Sequence, residues 1–425
     1  MRLLGGPSDF AAKAPAALLG VVAVLATWIA ADALLGAGSG VATALLLLGM
    51  PYFVLRFRTG IGDTGLAAFT ALSLALFFRA WKRDSWVLAA AAGLAAGLAF
   101  LCKGLLGFGI PFLAAGTFLA VRRDWKAVLR LRLWLAVLVG LAVAAPWVLA
   151  LHREQGAEGL HKFFIWNHLG RFGQDADHAH PFWYYVCILW VTLPLTPFAL
   201  AAALHRPAPG APERDARLAG LCWIVPVLLV LSIASGKRVV YLLPLYPGFA
   251  ILAAAALSAA ERGALEARPA SLVRAAAGAL RAMTLLRRAE GPRAAVLGAC
   301  LGLACVAAMA DAFLLPRWNA TRSGYALAAH LRELAGDRPL VPFRVGEGDI
   351  GQFTFALRRK LPWAWNEEAL RRAAGPGTAV VFAEQRNVDE AARTGKLSAA
   401  ALLALHPIGE GVADEHDFRI YEWRP

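Results

Sequence analysis

The chain has 425 residues, 59% of them hydrophobic, a mean hydropathy of +0.56 and a formal net charge of +14. That composition excludes an ordinary soluble domain. The basic excess does not call for nucleic acid as a partner, because the arginines and lysines sit in short loops beside apolar runs, where they orient a membrane protein.

A helix crosses the hydrocarbon core with roughly 20 apolar residues, and lipid forces each crossing segment to satisfy its own backbone groups. About ten runs approach that description: 14–35, 41–55, 65–78, 86–101, 105–121, 133–151, 182–204, 218–234, 239–257 and 294–315. Cys102, Cys187, Cys222, Cys300 and Cys305 all fall in or beside these runs without a C-x-x-C, and they read as small apolar residues. The expected fold is mostly α, a polytopic membrane bundle over residues 1–316. A small extracytoplasmic α/β domain is expected over 317–425.

Charge sets the orientation. Arg79, Lys82 and Arg83 follow the third run, Arg122, Arg123, Lys126, Arg130 and Arg132 the fifth, and Arg206, Arg214 and Arg217 the seventh. A long basic loop, 258–293, follows the ninth. All of these fall on one side, which the positive-inside rule makes cytoplasmic. Within the basic loop, 271–288 has the pattern of an amphipathic helix resting on anionic headgroups. The loop 152–181 and the Ser235-Gly-Lys-Arg238 turn then lie outside, with the C-terminal domain. Ten helices with an exterior C-terminus also place the N-terminus outside, so an additional upstream helix is expected.

The stretch 161–185 crowds imidazole, guanidinium and indole groups between two apolar runs, as a site at the water–lipid boundary requires. Its Asp175, Asp177, His178 and His180 alternate along an extended segment and would suit a divalent cation. The reading kept is that the histidines meet phosphate or acceptor, with no metal and no cofactor expected. In the tail, 323–334 and 367–374 have helical periodicity, the second capped by Asn366, while 340–345, 379–383 and 418–423 read as strands.

Five motifs in order carry a resemblance. They are Asp9-Phe-Ala-Ala-Lys-Ala-Pro15, Arg58-Thr-Gly-Ile-Gly-Asp63, Gly97-Leu-Ala-Phe-Leu-Cys-Lys-Gly104, the paired Phe163-Phe-Ile-Trp-Asn-His-Leu-Gly-Arg171 and His178-Ala-His-Pro-Phe-Trp-Tyr-Tyr185, and Ser235-Gly-Lys-Arg-Val-Val-Tyr-Leu-Leu-Pro-Leu-Tyr-Pro247. Together they resemble bacterial glycosyltransferases of the GT-C fold, relatives of the dolichyl-phosphate-mannose protein mannosyltransferases and lipid A aminoarabinose transferases. The resemblance implies inverting transfer of a sugar from a polyprenyl-phosphate carrier to a lipid, glycan or protein acceptor on the periplasmic face of the inner membrane. It also implies a first external loop with an Asp-Glu pair, which would lie with the missing upstream helix.

A lipid-phosphate donor needs cations and hydrogen-bond donors at headgroup depth to hold the phosphate and meet the charge that grows on it. Arg171, Lys237, Arg238, Tyr241 and Lys103 are the candidates for that role, with Arg171 able to grip two oxygens. Lys103, Lys237 and Arg238 also read as cations snorkelling from helix ends. Asp63, acidic and near the active site in the resembled family, is the catalytic candidate among carboxylates, its second reading being a helix N-cap. Asn167, His168, His178 and His180 form the expected substrate loop. Two alternatives stand beside the enzyme: an inactive homologue that binds lipid phosphate, and a transporter of lipid-linked saccharide. A transporter would carry broken helices and polar groups near the bilayer midplane, whereas here the polar groups gather at one boundary.

Overall fold

The computed structural model describes residues 9–58, 62–169, 179–284, 291–314, 324–413 and 416–425. Contacts divide it into two units, Asp9–Ala308 and Met309–Pro425.

The first unit is a helical bundle: α1 (Asp9–Leu35), α2 (Ser39–Leu48), α3 (Pro51–Arg56), α4 (Gly62–Arg83), α5 (Trp86–Lys103), α6 (Leu106–Arg122), α7 (Lys126–Arg130), α8 (Leu133–His161), α9 (Tyr184–Cys187), α10 (Thr196–Leu204), α11 (Pro212–Ile233), α12 (Tyr246–Glu261), α13 (Ala267–Thr284) and α14 (Gly291–Met309). Among the described residues, seven helical stretches are long and apolar enough to cross a bilayer: Lys13–Leu35, Gly62–Arg83, Trp86–Lys103, Leu133–Trp166, Pro212–Ile233, Val239–Glu261 and Gly291–Leu314. The chain is an integral membrane protein.

Three expected spans are corrected. The run 105–121 forms one helix, α6, but its 17 residues leave it among the shorter apolar helices, and the other two runs are broken. The run 41–55 breaks at Gly49-Met50 into α2 and α3, with Pro51 opening the second helix. Ten residues of α2 rise about 15 Å, half the core thickness. The run 182–204 divides into α9, a 3-10 turn at Leu189–Thr192 and α10, because Pro194 offers no N–H to carry a helix through.

Small residues set a close helix crossing. Gly93-Leu-Ala-Ala-Gly97 of α5 lies against α8. A Cβ on Gly93 would collide with the Ala136 carbonyl oxygen, and one on Gly97 would come within 2.7 Å of the Gly140 carbonyl oxygen and of Val143. This small-xxx-small pattern lets backbones approach where lipid supplies no hydrophobic drive.

The basic loops that follow α4, α6, α10 and α12 meet at one end of the bundle. Asp215 takes Lys82 at 2.6 Å and Arg122 at 2.5 Å, and Arg122 also lies over the Trp81 ring. Buried Glu213 accepts from Ser258 at 2.7 Å and from Arg262, and Arg293 reaches Glu261 at 2.7 Å. Helix α13 buries Val273, Ala277 and Leu280 in the bundle core and exposes Arg268 and Arg274. Its apolar face therefore meets α10 and α12 rather than lipid, which revises the expected headgroup anchor: protein, being adjacent, covers that face.

Glu266 ties the start of α13 to His205 at 2.6 Å, and that hydrogen bond holds its carboxyl down at about 2. A depressed carboxylate stabilises above its unfolded value near 4.5 and loses that contribution as pH falls toward 2. Because Glu266 is half exposed, the effect is small. Thermal unfolding of wild type should exceed that of Glu266→Gln at pH 6, and the gap should close between pH 4.5 and 2.

The second unit carries a four-stranded sheet in the order β1-β2-β4-β3, with β1 (Leu340–Pro342), β2 (Ala379–Glu384), β3 (Leu405–Ala413) and β4 (His416–Trp423). β1 and β2 are parallel and the other pairs antiparallel. Helices α15 (Tyr325–Ala335), α16 (Glu347–Leu357), α17 (Glu367–Ala374), α18 (Gln385–Arg393) and α19 (Ala399–Leu403) cover both faces. Strand alternation divides the core: Val381, Ala383, Tyr421 and Trp423 on one side, Val380, Phe382, Phe418 and Ile420 on the other. Asn366 caps α17 by accepting from the Ala369 N–H at 2.9 Å.

Candidate active site

At the end of the bundle away from the arginine-rich loops, four chain segments converge: the start of α4, the α5–α6 turn, residues 179–185 and the turn 234–241. Gly104 turns the chain sharply with φ +64 after α5, leaving Lys103 at the helix end. The aromatic residues that start the 161–185 loop dock here too. Phe163 packs on Trp147 at 4.5 Å and on Phe100 at 6.1 Å, and Phe164 stacks on Phe100 at 6.4 Å.

Asp63 and Lys103 form an ion pair. Asp63 is nearly buried, in the first turn of α4 rather than at its N-cap, a position where the helix dipole favours a carboxylate. The Lys103 ammonium lies 4.7 Å from the centroid of the Tyr241 ring. A carboxylate, an ammonium and an aromatic face thus share one spot, and the lysine is held in place rather than trailing into solvent.

The segment 179–185 is pinned from below. Ala179 and Gly236 pair as an antiparallel bridge, and the His180 N–H donates to the Ser235 carbonyl at 3.1 Å. Lys237 is buried at 2% exposure. It donates to the His180 carbonyl at 2.8 Å and to the Ala234 carbonyl, and burial pushes its ammonium below the usual lysine value. Carbonyls take two of its three N–H donors, so it clamps two loops together in addition to any phosphate role expected of it. Arg238 beside it is exposed, and the Tyr185 hydroxyl donates to the Arg238 carbonyl at 3.4 Å. Replacing Lys237 by Met should cost about 1–3 kcal/mol through the undonated carbonyls. That loss would read as a lower unfolding temperature and faster proteolysis between residues 179 and 185.

Aromatic rings line the rest. His180 stacks on Tyr184 at 4.1 Å and 12°, Arg56 lies 4.8 Å over the Tyr52 ring, and Tyr52 stacks on Tyr246 at 6.2 Å. Tyr246 in turn donates to the Val191 carbonyl at 2.9 Å.

The structure thus brings together Asp63, Lys103 and Tyr241, and separately His180, Lys237 and Arg238 across one bridge. Arg171 and His178 lie outside the described residues, as do the side chains of Asn167 and His168. Sequence reasoning passed over Tyr52 as a lining ring. The signal for it was Pro51, which starts a new helix and makes Tyr52 its second residue.

A family profile described as dolichyl-phosphate-mannose-protein mannosyltransferase matches residues 1–149. An undecaprenyl phosphate-alpha-4-amino-4-deoxy-L-arabinose arabinosyl transferase of Pectobacterium carotovorum is 39% identical over 173 residues, covering 39% of this chain and 30% of the relative. One from Edwardsiella ictaluri is 31% identical over 266 residues, 59% of this chain and 46% of the relative. The crystal structure of ArnT from Cupriavidus metallidurans bound to undecaprenyl phosphate superposes with a TM-score of 0.68 at 21% identity, covering 96% of this chain and 83% of that one. The chain shares the fold of that structure and is similar over part of its length to the lipid A aminoarabinose transferases. Its matched segments span less than half of those curated relatives' lengths. Within the bundle the Asp63–Lys103–Tyr241 cluster and the Lys237 clamp occupy the same end.

Proposed function

We propose that the chain is an integral-membrane glycosyltransferase that moves a sugar from a polyprenyl-phosphate carrier to a lipid, glycan or protein acceptor. The relatives are named for 4-amino-4-deoxy-L-arabinose on undecaprenyl phosphate, and that donor is the one assigned here. The observation that carries the reading is the Asp63–Lys103–Tyr241 cluster, a cation held by a carboxylate and an aromatic ring at the end of the bundle away from the basic loops.

In this reading Lys103, Arg238 and Arg171 hold the donor phosphate, and Tyr241 positions Lys103 as the leaving phosphate gains charge. Asp63 is the carboxylate of the reaction. Asn167, His168, His178 and His180 form the loop that meets the sugar or acceptor. The basic end faces the cytoplasm by the positive-inside rule, so the site is periplasmic. The domain over 317–425 is periplasmic as well.

The test is transfer by the purified chain in lipid vesicles, with undecaprenyl phosphate carrying radiolabelled aminoarabinose and lipid A as acceptor. Label entering the acceptor is expected. A chain that binds the carrier yet moves no label would be a lipid-phosphate-binding homologue and would overturn the enzymatic reading.

A further inference from the structure

Three metal-competent donors from separate elements converge at one edge of the C-terminal sheet. Glu384 closes β2, His416 opens β4 and Asp349 lies in the first turn of α16. One ligand atom of each lies within 4.8 Å of the other two. Parallel strands β1 and β2 both end at this edge, and antiparallel β4 begins there. Ligands of open α/β sheets gather at such carboxyl ends.

Burial sharpens the arrangement. Glu384 is 8% exposed, while Asp349 and His416 are half-buried and able to adjust. The Glu384 oxygens are divided in use: Oε1 lies 3.1 Å from His416 Nδ1, and Oε2 accepts from Arg386 Nε at 2.5 Å. That is how a ligating carboxylate is oriented, one oxygen toward the ion and the other held by an outer donor. Two groups already flank Glu384: His416 within the cluster and Arg386, 72% exposed, on the outer side.

We propose that Asp349, Glu384 and His416 bind a divalent transition-metal ion of the zinc class. One imidazole and two carboxylates form a donor set suited to Zn2+, which holds such atoms about 2.0–2.2 Å away. Donors around tetrahedral zinc stand roughly 3.3 Å apart, so the half-buried side chains close by about an ångström or slightly more, and water completes the shell. The ion ties the first turn of α16 to the ends of β2 and β4, a role in the stability of this domain rather than in sugar transfer.

The test uses the full chain in detergent, stripped with chelator and dialysed against micromolar Zn2+. Bound zinc is then counted by mass spectrometry for wild type, His416→Ala and Asp349→Asn. Wild type should hold about one more ion per chain than either variant. Co2+ in place of zinc should give a visible absorption band that His416→Ala lacks. Asp349→Asn keeps the size of the side chain, so the comparison survives if His416→Ala folds poorly. Equal zinc in all three proteins would overturn the proposal, since zinc held elsewhere cancels in the difference.

Discussion

Asp63→Asn should lower sugar transfer about 100- to 1,000-fold, the usual loss when one charged group leaves a preorganised site. The substitution keeps shape but removes the charge that faces Lys103. The ammonium, only 23% exposed and lying over Tyr241, then loses its anionic partner and its fixed position. Lys103→Met should cost at least as much, because it removes the cation proposed to hold the phosphate. The double variant separates the two roles: if Asp63 acts only by holding Lys103, adding Asp63→Asn to Lys103→Met should cost nothing more. If Asp63 also takes part in the reaction, a further loss should appear. Transfer at the wild-type rate in Asp63→Asn would remove the carboxylate from the mechanism.

Gly93→Leu should have the largest effect on the bundle. Even a Cβ at this position meets the Ala136 carbonyl oxygen, and backbone cannot move aside as a side chain can. Helices α5 and α8 must separate, with a cost of about 3 kcal/mol or more from lost packing along the crossing. The consequence should travel to the site, because α5 ends in Lys103 and α8 leads into Phe163, which packs on Phe100 and Trp147. The variant should unfold at a markedly lower temperature in detergent, and the surviving folded fraction should bind the polyprenyl-phosphate carrier more weakly. Gly109, where a Cβ would meet nothing within 4 Å, supplies the control: Gly109→Ala should be close to neutral in both measurements.

Much of the architecture was legible from residues alone. Apolar runs of bilayer length and the placement of arginines gave the spans and grouped the basic loops, which the structure indeed gathers around Asp215, Glu213 and Glu261. In the tail, apolar alternation marked β1, β2 and β4. Strand β3 escaped because Pro407, Gly409 and Gly411 interrupt its pattern, and the register does shift between Pro407 and Gly409. The short helices α2 and α3 were hidden inside a continuous apolar run, although Gly49 and Pro51 marked the break.

What the sequence by itself determined about this protein is therefore the medium it lives in, the grouping of its loops and the residue types that crowd one boundary. Those follow from local properties: hydropathy summed over a run, and charge at its ends. Which cation serves an anion and which serves the backbone was decided only by the tertiary structure. Lys103 and Lys237 look alike in sequence, each at the end of an apolar run. Packing gives the first Asp63 and an aromatic face and turns the second inward onto two carbonyls. An ammonium's partner depends on what distant segments bring within about 3 Å of it, and no local pattern carries that information.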